Sequence, residues 1–182
     1  MRYFFRRRIP PFRRVVMVES GSRHLLEALL PGIYQSHAPH MRLDVVTCFA
    51  GAPRNFRPEY GQIHRITEYP GAAGRGDLYR LLELNRYDIC GVICSGEPIM
   101  TKWKWMLALR LPAKVFILNE NGDYFWLDRS NLAIVRHFIL YRAGLTGAGA
   151  VNTLVRMALF PFTLAYLLLY AATAHLSRRV RI

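Results

Sequence analysis

Short apolar runs rich in β-branched residues alternate along the first two thirds of the chain with stretches in which leucines recur at helical spacing. Val15-Val-Met-Val18, set between Arg14 and Glu19-Ser-Gly-Ser22, reads as a buried strand. Leu25, Leu26, Ala28, Leu29, Leu30 and Ile33 then follow a helical period from Ser22, a suitable N-cap, to about Gln35. Leu43–Phe49 predicts a second strand, 54–62 a polar loop, and the alternating Ile63–Tyr69 a third strand of edge type. Pro70–Gly76 reads as a glycine-rich loop, and Asp77 to about Arg86 as a helix with Leu78, Leu81, Leu82 and Leu84 inward. Ile89–Cys94 is apolar throughout and predicts a central strand. Ser95-Gly-Glu-Pro98 then opens a helix, with Pro98 in its first turn and the amphipathic pattern over Ile99–Leu111. Val115–Leu118 predicts the last strand, and Ser130–Tyr141 an amphipathic helix.

This alternation predicts an α/β fold: a Rossmann-like, mostly parallel, doubly wound sheet of about five strands. Ligands of such sheets bind at the carboxyl ends of the strands, so the loops there are the candidate sites. Ser20, Gly21, Ser22, Arg23 and His24 lead from the first strand into the first helix, where backbone N–H groups and Arg23 suit a phosphate. A plain tight turn is the alternative, because the single glycine makes neither a dinucleotide fingerprint nor a P-loop. Ser95, Gly96 and Glu97 stand where the central strand meets a helix, the most site-like position in the chain. Glu97 there is either a base or hydroxyl acceptor, or a carboxylate that favours the helix dipole. The loop Gly71–Gly76 is a weaker anion candidate. Asn119-Glu-Asn-Gly-Asp123 offers Asn119 and Asn121 to a sugar or cation, or is a turn. No metal site and no cofactor is expected: the histidines form no zinc pattern, and no serine-hydrolase elbow is present.

After the small-residue segment 144–150 the character changes. From Met157 to Ala174 no residue is charged, with Arg156 before the run and Arg178, Arg179 and Arg181 after it. That length reaches the threshold for a membrane span. Phe160, Phe162, Tyr166 and Tyr170 are then lipid contacts. Pro161 is expected to kink or break the helix, which leaves a re-entrant segment as the alternative to a single span, and a buried core helix as a further one. The organisation expected is a basic aromatic arm (1–12), an α/β domain (13–143), a hinge (144–150), a membrane helix (151–176) and a basic tail (177–182).

Charge adds to this picture. The formal net charge is +13 and only Lys102, Lys104 and Lys114 are lysines. Arginines cluster at both ends beside aromatic or apolar residues, and no nucleic-acid module is visible, so anionic lipid or phosphate is the expected partner and nucleic acid is not. The N-terminus lacks the apolar region of a signal peptide, which leaves a membrane-surface arm or a disordered basic tail. In Lys102-Trp-Lys-Trp105, residues two apart do not share a helix face. One of Trp103 and Trp105 then packs inward and the other is a membrane contact, unless both belong to ordinary packing. Three cysteines without a C-x-x-C pair read as small thiols in a reducing compartment. The expected location is a membrane, with the α/β domain on the cytoplasmic side.

The run Val15-Val-Met-Val-Glu-Ser-Gly-Ser-Arg-His24, the strand Leu43-Asp-Val-Val-Thr47, the segment Ile63-His-Arg-Ile66 and the phrase Leu84-Asn-Arg-Tyr-Asp-Ile-Cys90 resemble the N-terminal half of two-domain GT-B type glycosyltransferases, the heptosyltransferase-like group above all. The resemblance covers a little over half the chain. It implies an acceptor-side half, with Gly21–His24 and Glu97 facing the acceptor, in cell-envelope glycan or glycolipid assembly. The donor-binding second domain of that family has no counterpart in this sequence, whose last segment is hydrophobic, so the resemblance implies either a half-enzyme whose protein partner carries the donor or a protein no longer catalytic. The membrane-anchoring subunit of the split N-acetylglucosaminyltransferase acting on polyprenyl-linked sugar is similar in plan, though its anchor is N-terminal and its first loop differs. Two other functions remain open: a non-catalytic accessory subunit of a larger membrane complex, and a small nucleotide- or phosphate-binding enzyme.

Overall fold

The computed structural model describes residues 4, 8–146 and 150–180, with side chains as far as 173. Two compact units divide the chain within the segment that follows the sheet.

The first unit holds a six-stranded sheet in the order β3-β2-β1-β4-β5-β6. Its strands are β1 (Arg14–Glu19), β2 (Arg42–Thr47), β3 (Ile63–Arg65), β4 (Ile89–Cys94), β5 (Lys114–Asn119) and β6 (Tyr124–Trp126). All neighbours are parallel except β5 and β6, which pair antiparallel with Ile117 opposite Phe125. The sixth strand was not expected; its three residues are too few for alternation to show. β3 is the edge strand expected, but it ends at Arg65 and turns into a 3-10 segment, Ile66–Glu68, instead of reaching Tyr69.

Three helices cover the sheet: α1 (Arg23–His37), α2 (Gly71–Leu84) and α3 (Thr101–Arg110). Leu25, Leu26, Leu30, Ile33 and Tyr34 of α1 form one apolar cluster with Val15, Met17, Leu43, Val45, Ile89, Ile93, Phe116 and Leu118. These sheet residues alternate along their strands, as side chains on one face must. Gly91 lies between Met17 and Phe116; a Cβ there would come within 2.3 Å of the Met17 sulfur and 2.5 Å of the Phe116 ring. The missing side chain on β4 is therefore filled from both neighbouring strands. Leu78, Tyr79 and Leu82 of α2 and Leu107, Ala108 and Leu111 around α3 are buried outside this cluster, against the other face.

Several expected boundaries are corrected. Pro70–Gly76 is not a loop, because α2 begins at Gly71 and takes in all three glycines. Leu81 and Leu84 face solvent, and Tyr79 takes the inward place. α3 starts at Thr101, so Pro98 is not in its first turn; Met100 ahead of it is left-handed, with φ of 48°. Pro31 lies inside α1, which runs two residues past Gln35.

Polar groups are buried in this core as well. Asp44 on β2 is fully enclosed and accepts from Tyr87 Oη at 2.6 Å, Gln62 N at 2.8 Å and Arg42 Nε at 3.2 Å. His64 Nε2 stands 3.9 Å from Oδ2, too long for a hydrogen bond, and acts across that gap. Burial pushes the Asp44 carboxyl up, but His64 and these hydrogen bonds outweigh it and hold it at about 2. The folded value lies below the ordinary one, so its stabilisation is complete above the usual carboxyl range and is lost as pH falls through about 2. Urea unfolding of wild type and Asp44→Asn in detergent should show a stability gap that shrinks by about 2 kcal/mol between roughly pH 5 and pH 2. A gap that stays constant with pH would contradict this network. Cys90 and Cys94 are buried, Cys48 is half-buried, and among the described residues none of the three forms a disulfide. Burial pushes the Cys90 thiol up to about 12, so it stays protonated and inert.

The second unit contains α4 (Leu132–Arg142) and α5 (Ala150–Val180). α5 continues through Pro161 without a break, so a helix broken there is not observed. Of the hinge at 144–150, residues 147–149 fall outside the described residues, as do the last two of the basic tail and much of the N-terminal arm. The segment Ala150–Thr173 is long and apolar enough to cross a membrane, with mean hydropathy 1.7 and none of its side chains buried.

Candidate functional site

The strand order reverses between β1 and β4: the chain runs outward from β1 through β2 to β3, then returns to β4 on the other side. The carboxyl ends of those two strands form the switch point, the usual ligand position of this architecture. Ser20–His24 and Ser95–Glu97 meet at this point. Gly21 is packed so closely beneath the second loop that an added Cβ would stand 2.4 Å from Ser95 Oγ and 2.7 Å from Ile93 Cγ2. Glycine is required here by the close approach, not by its backbone angles.

The hydroxyls of the two loops converge on one carboxylate. Ser22 Oγ donates to Glu97 Oε1 at 2.8 Å, and Ser95 Oγ donates to Oε2 at 3.4 Å. Ser22 occupies the N-cap position of α1 but makes no side-chain cap bond. Its hydroxyl reaches the other loop instead, which corrects the expected capping role. Glu97 and Gly96 are exposed and Ser95 is buried, so the carboxylate sits at the solvent surface on a buried hydroxyl.

Other expected site residues serve the protein itself. Ser20 is fully buried and donates to the Ile93 carbonyl at 2.7 Å, which ties the β1 loop to β4. Arg23 donates through Nε and Nη2 to the two oxygens of buried Glu19 at 2.8 and 3.3 Å, and through Nη1 to the Ala50 carbonyl at 2.9 Å. Its guanidinium also lies 5.0 Å from the Phe49 ring centre. The Glu19 hydrogen bond raises the Arg23 guanidinium above its ordinary value. All three guanidinium nitrogens are thus engaged, and Glu19 is the partner that sequence reasoning missed although it stands four residues before Arg23. His24 is exposed. Asn119 Oδ1 accepts from the backbone N–H of Asn121 at 3.0 Å and of Asp123 at 2.9 Å, so this polar cluster forms the hairpin turn between β5 and β6.

Two buried lysines were also not anticipated. Lys104 lies on the inward stripe of α3 with Leu107, Ala108 and Leu111, a spacing visible in the sequence. Lys114 begins β5 and donates to Asp128 Oδ2 at 2.7 Å. Trp103 is half-buried, with its ring 5.3 Å from that of Tyr79, while Trp105 is 37% exposed. Phe160, Phe162, Tyr166 and Tyr170 are all exposed along α5. Among the described residues no group of three or more His, Cys, Asp or Glu side chains is placed to hold a metal ion.

The fold and this site define a class: an α/β domain with the strand order of Rossmann-like folds, an exposed carboxylate at its switch point, and a long apolar helix in the same chain. No protein-family model, curated protein or solved structure matches the chain.

Proposed function

We propose that the protein is the membrane-anchored, acceptor-side half of a glycosyltransferase-like assembly in cell-envelope glycan or glycolipid synthesis, with the α/β domain on the cytoplasmic side. The single observation that carries this reading is Glu97, an exposed carboxylate held by Ser22 and Ser95 at the switch point. A carboxylate so placed accepts a hydrogen bond from an acceptor hydroxyl and takes its proton as that oxygen bonds to the anomeric carbon of a nucleotide sugar and the nucleoside diphosphate leaves. The donor comes from a partner protein, and α5 keeps the pair beside a lipid-borne acceptor. The apolar surface of Ala150–Thr173, none of it buried, supports the anchor, since a soluble protein rarely exposes so large an apolar area.

A second reading, a non-catalytic accessory subunit, is favoured by the engagement of the Glu97 carboxylate and the Arg23 guanidinium within the chain. The two readings separate on Glu97→Gln. The full chain is purified in mild detergent from its native membrane with whatever it binds, and sugar transfer from a nucleotide sugar to a polyprenyl-linked sugar is measured. On the first reading the variant keeps its partner and loses about a hundredfold or more in rate, the usual scale for a general base. Transfer unchanged by the variant, or no transfer by the intact assembly, removes the catalytic reading.

A further inference from the structure

A groove runs between α2 and α3, away from the switch point. Its α2 wall is Ala72, Arg75, Gly76 and Tyr79, spaced so that all four share one helix face. The facing wall is Lys102, Trp103, Met106 and Arg110 of α3, and the space enclosed is about 640 Å³. Three cations and no carboxylate line it. Nearby Asp77 is turned to Arg80, 3.8 Å away. Arg110 lies 4.8 Å from the centre of the Tyr79 ring. Burial raises the Tyr79 hydroxyl above its ordinary value while Arg110 and Arg75 both oppose it, which places both charges within electrostatic reach of that ring. Among the described residues the side chains of Arg75 and Lys102 have no hydrogen bond or ion pair.

The groove is also kept open. A Cβ on Gly76 would meet nothing within 4 Å. Glycine inside a helix costs about 1 kcal/mol relative to alanine, and here no close packing accounts for it. The apolar part of the wall continues onto the outer stripe of α3, where Trp105, Met106 and Leu109 are exposed.

From this arrangement we infer that the groove between α2 and α3 binds a phosphoryl group joined to an apolar moiety. Arg75, Lys102 and Arg110 take the phosphate oxygens, and Trp103, Tyr79 and Met106 take the apolar part. Guanidinium groups match phosphate geometry with paired N–H donors, and the absence of any carboxylate from the walls leaves the cationic field uncompensated. An anionic lipid headgroup and a free phosphorylated compound share this chemistry. The inference does not depend on the function proposed above, because it uses neither Glu97 nor the switch-point loops.

The test uses the full chain and reads the fluorescence of Trp103, identified as the signal lost in Trp103→Phe. Inorganic pyrophosphate is titrated into the detergent-solubilised protein. Separately, the protein is placed in phosphatidylcholine nanodiscs with or without phosphatidylglycerol. A saturable response to pyrophosphate assigns the groove to free phosphoryl ligands; a response only to phosphatidylglycerol assigns it to headgroups. In either case Arg75→Gln/Arg110→Gln should weaken the response about tenfold or more. Gly76→Leu, which fills the groove with a better helix former, should abolish it without lowering the unfolding temperature. No response to either probe, or a response that survives both variants in folded protein, overturns the inference.

Discussion

Replacing Lys114 with methionine is expected to destabilise the α/β domain by about 3–5 kcal/mol, the scale for removing one partner of a buried ion pair. The side chain of Lys114 is fully buried and that of Asp128 is 5% exposed, with 2.7 Å between Nζ and Oδ2. Burial pushes the Asp128 carboxyl up, and Lys114 together with the Asn131 and Ser130 N–H groups brings it below its ordinary value. Methionine keeps the length and volume of lysine but leaves that carboxylate without its counter-charge. The loss reaches beyond the pair, because Asp128 Oδ1 also caps the 3-10 turn at Arg129–Asn131, accepting from Ser130 N at 3.0 Å and Asn131 N at 3.1 Å. Urea unfolding of the detergent-solubilised chain measures the effect. Lys114→Met/Asp128→Asn should recover part of the loss, since the double variant buries no unpaired charge and asparagine retains an acceptor for the cap. A single variant within about 1 kcal/mol of wild type would show that water reaches the pair.

The same pair shows what the sequence leaves unsaid. Alternation and helical period are local properties, and they locate β1, α1, β2, β4 and β5 because each carries several apolar residues in a row or on one face. Lys114 looks like a polar residue ahead of a strand; its burial depends on a carboxylate in a different element. Lys104 differs, since its spacing from Leu107, Ala108 and Leu111 was open to reading, and only the usual exposure of lysine hid it. The glycines of 71–76 predict a loop on propensity, yet the sheet offers α2 a face to pack on through Leu78 and Leu82, and tertiary burial overrides a penalty of about 1 kcal/mol for each glycine.

The candidate site divides in a similar way. That Ser20–His24 and Ser95–Glu97 lie at strand ends was legible, because both follow strong apolar runs. Which groups meet was not: Ser22 and Glu97 are 75 residues apart, and their contact exists only because β4 inserts beside β1. Arg23 shows the opposite error. Its position beside a helix start suggested a phosphate ligand, while the neighbouring acid, Glu19, already held it. An arginine at a helix start four residues after a glutamate is a poor anion ligand when that glutamate is the last residue of a buried strand.

On the proposed membrane anchor, Leu164→Arg is expected to release the chain from the membrane. The substitution places a guanidinium near the middle of the uncharged stretch Met157–Ala174 and costs about 3–4 kcal/mol of insertion free energy relative to leucine. The helix tolerates its existing polar groups for local reasons. Arg156 stands before that stretch, where a long side chain can reach the interface. Thr163 Oγ1 donates to the Leu159 carbonyl at 3.1 Å and Thr173 Oγ1 to the Tyr170 carbonyl at 2.9 Å, so both hydroxyl protons are satisfied within the helix. Pro161 removes one backbone donor without interrupting α5. The 24 residues of Ala150–Thr173 extend about 36 Å at the helical rise, enough to span a hydrocarbon core of about 30 Å with some tilt. An arginine at 164 has no such outlet, being too far from either end to reach headgroups without drawing water inward. Alkaline carbonate washing of isolated membranes measures the result: wild type and Leu164→Phe should remain in the pellet, and Leu164→Arg should move largely to the supernatant. Release of the wild type by the same wash would mean that α5 does not span, and its exposed apolar surface would then have to be covered by protein.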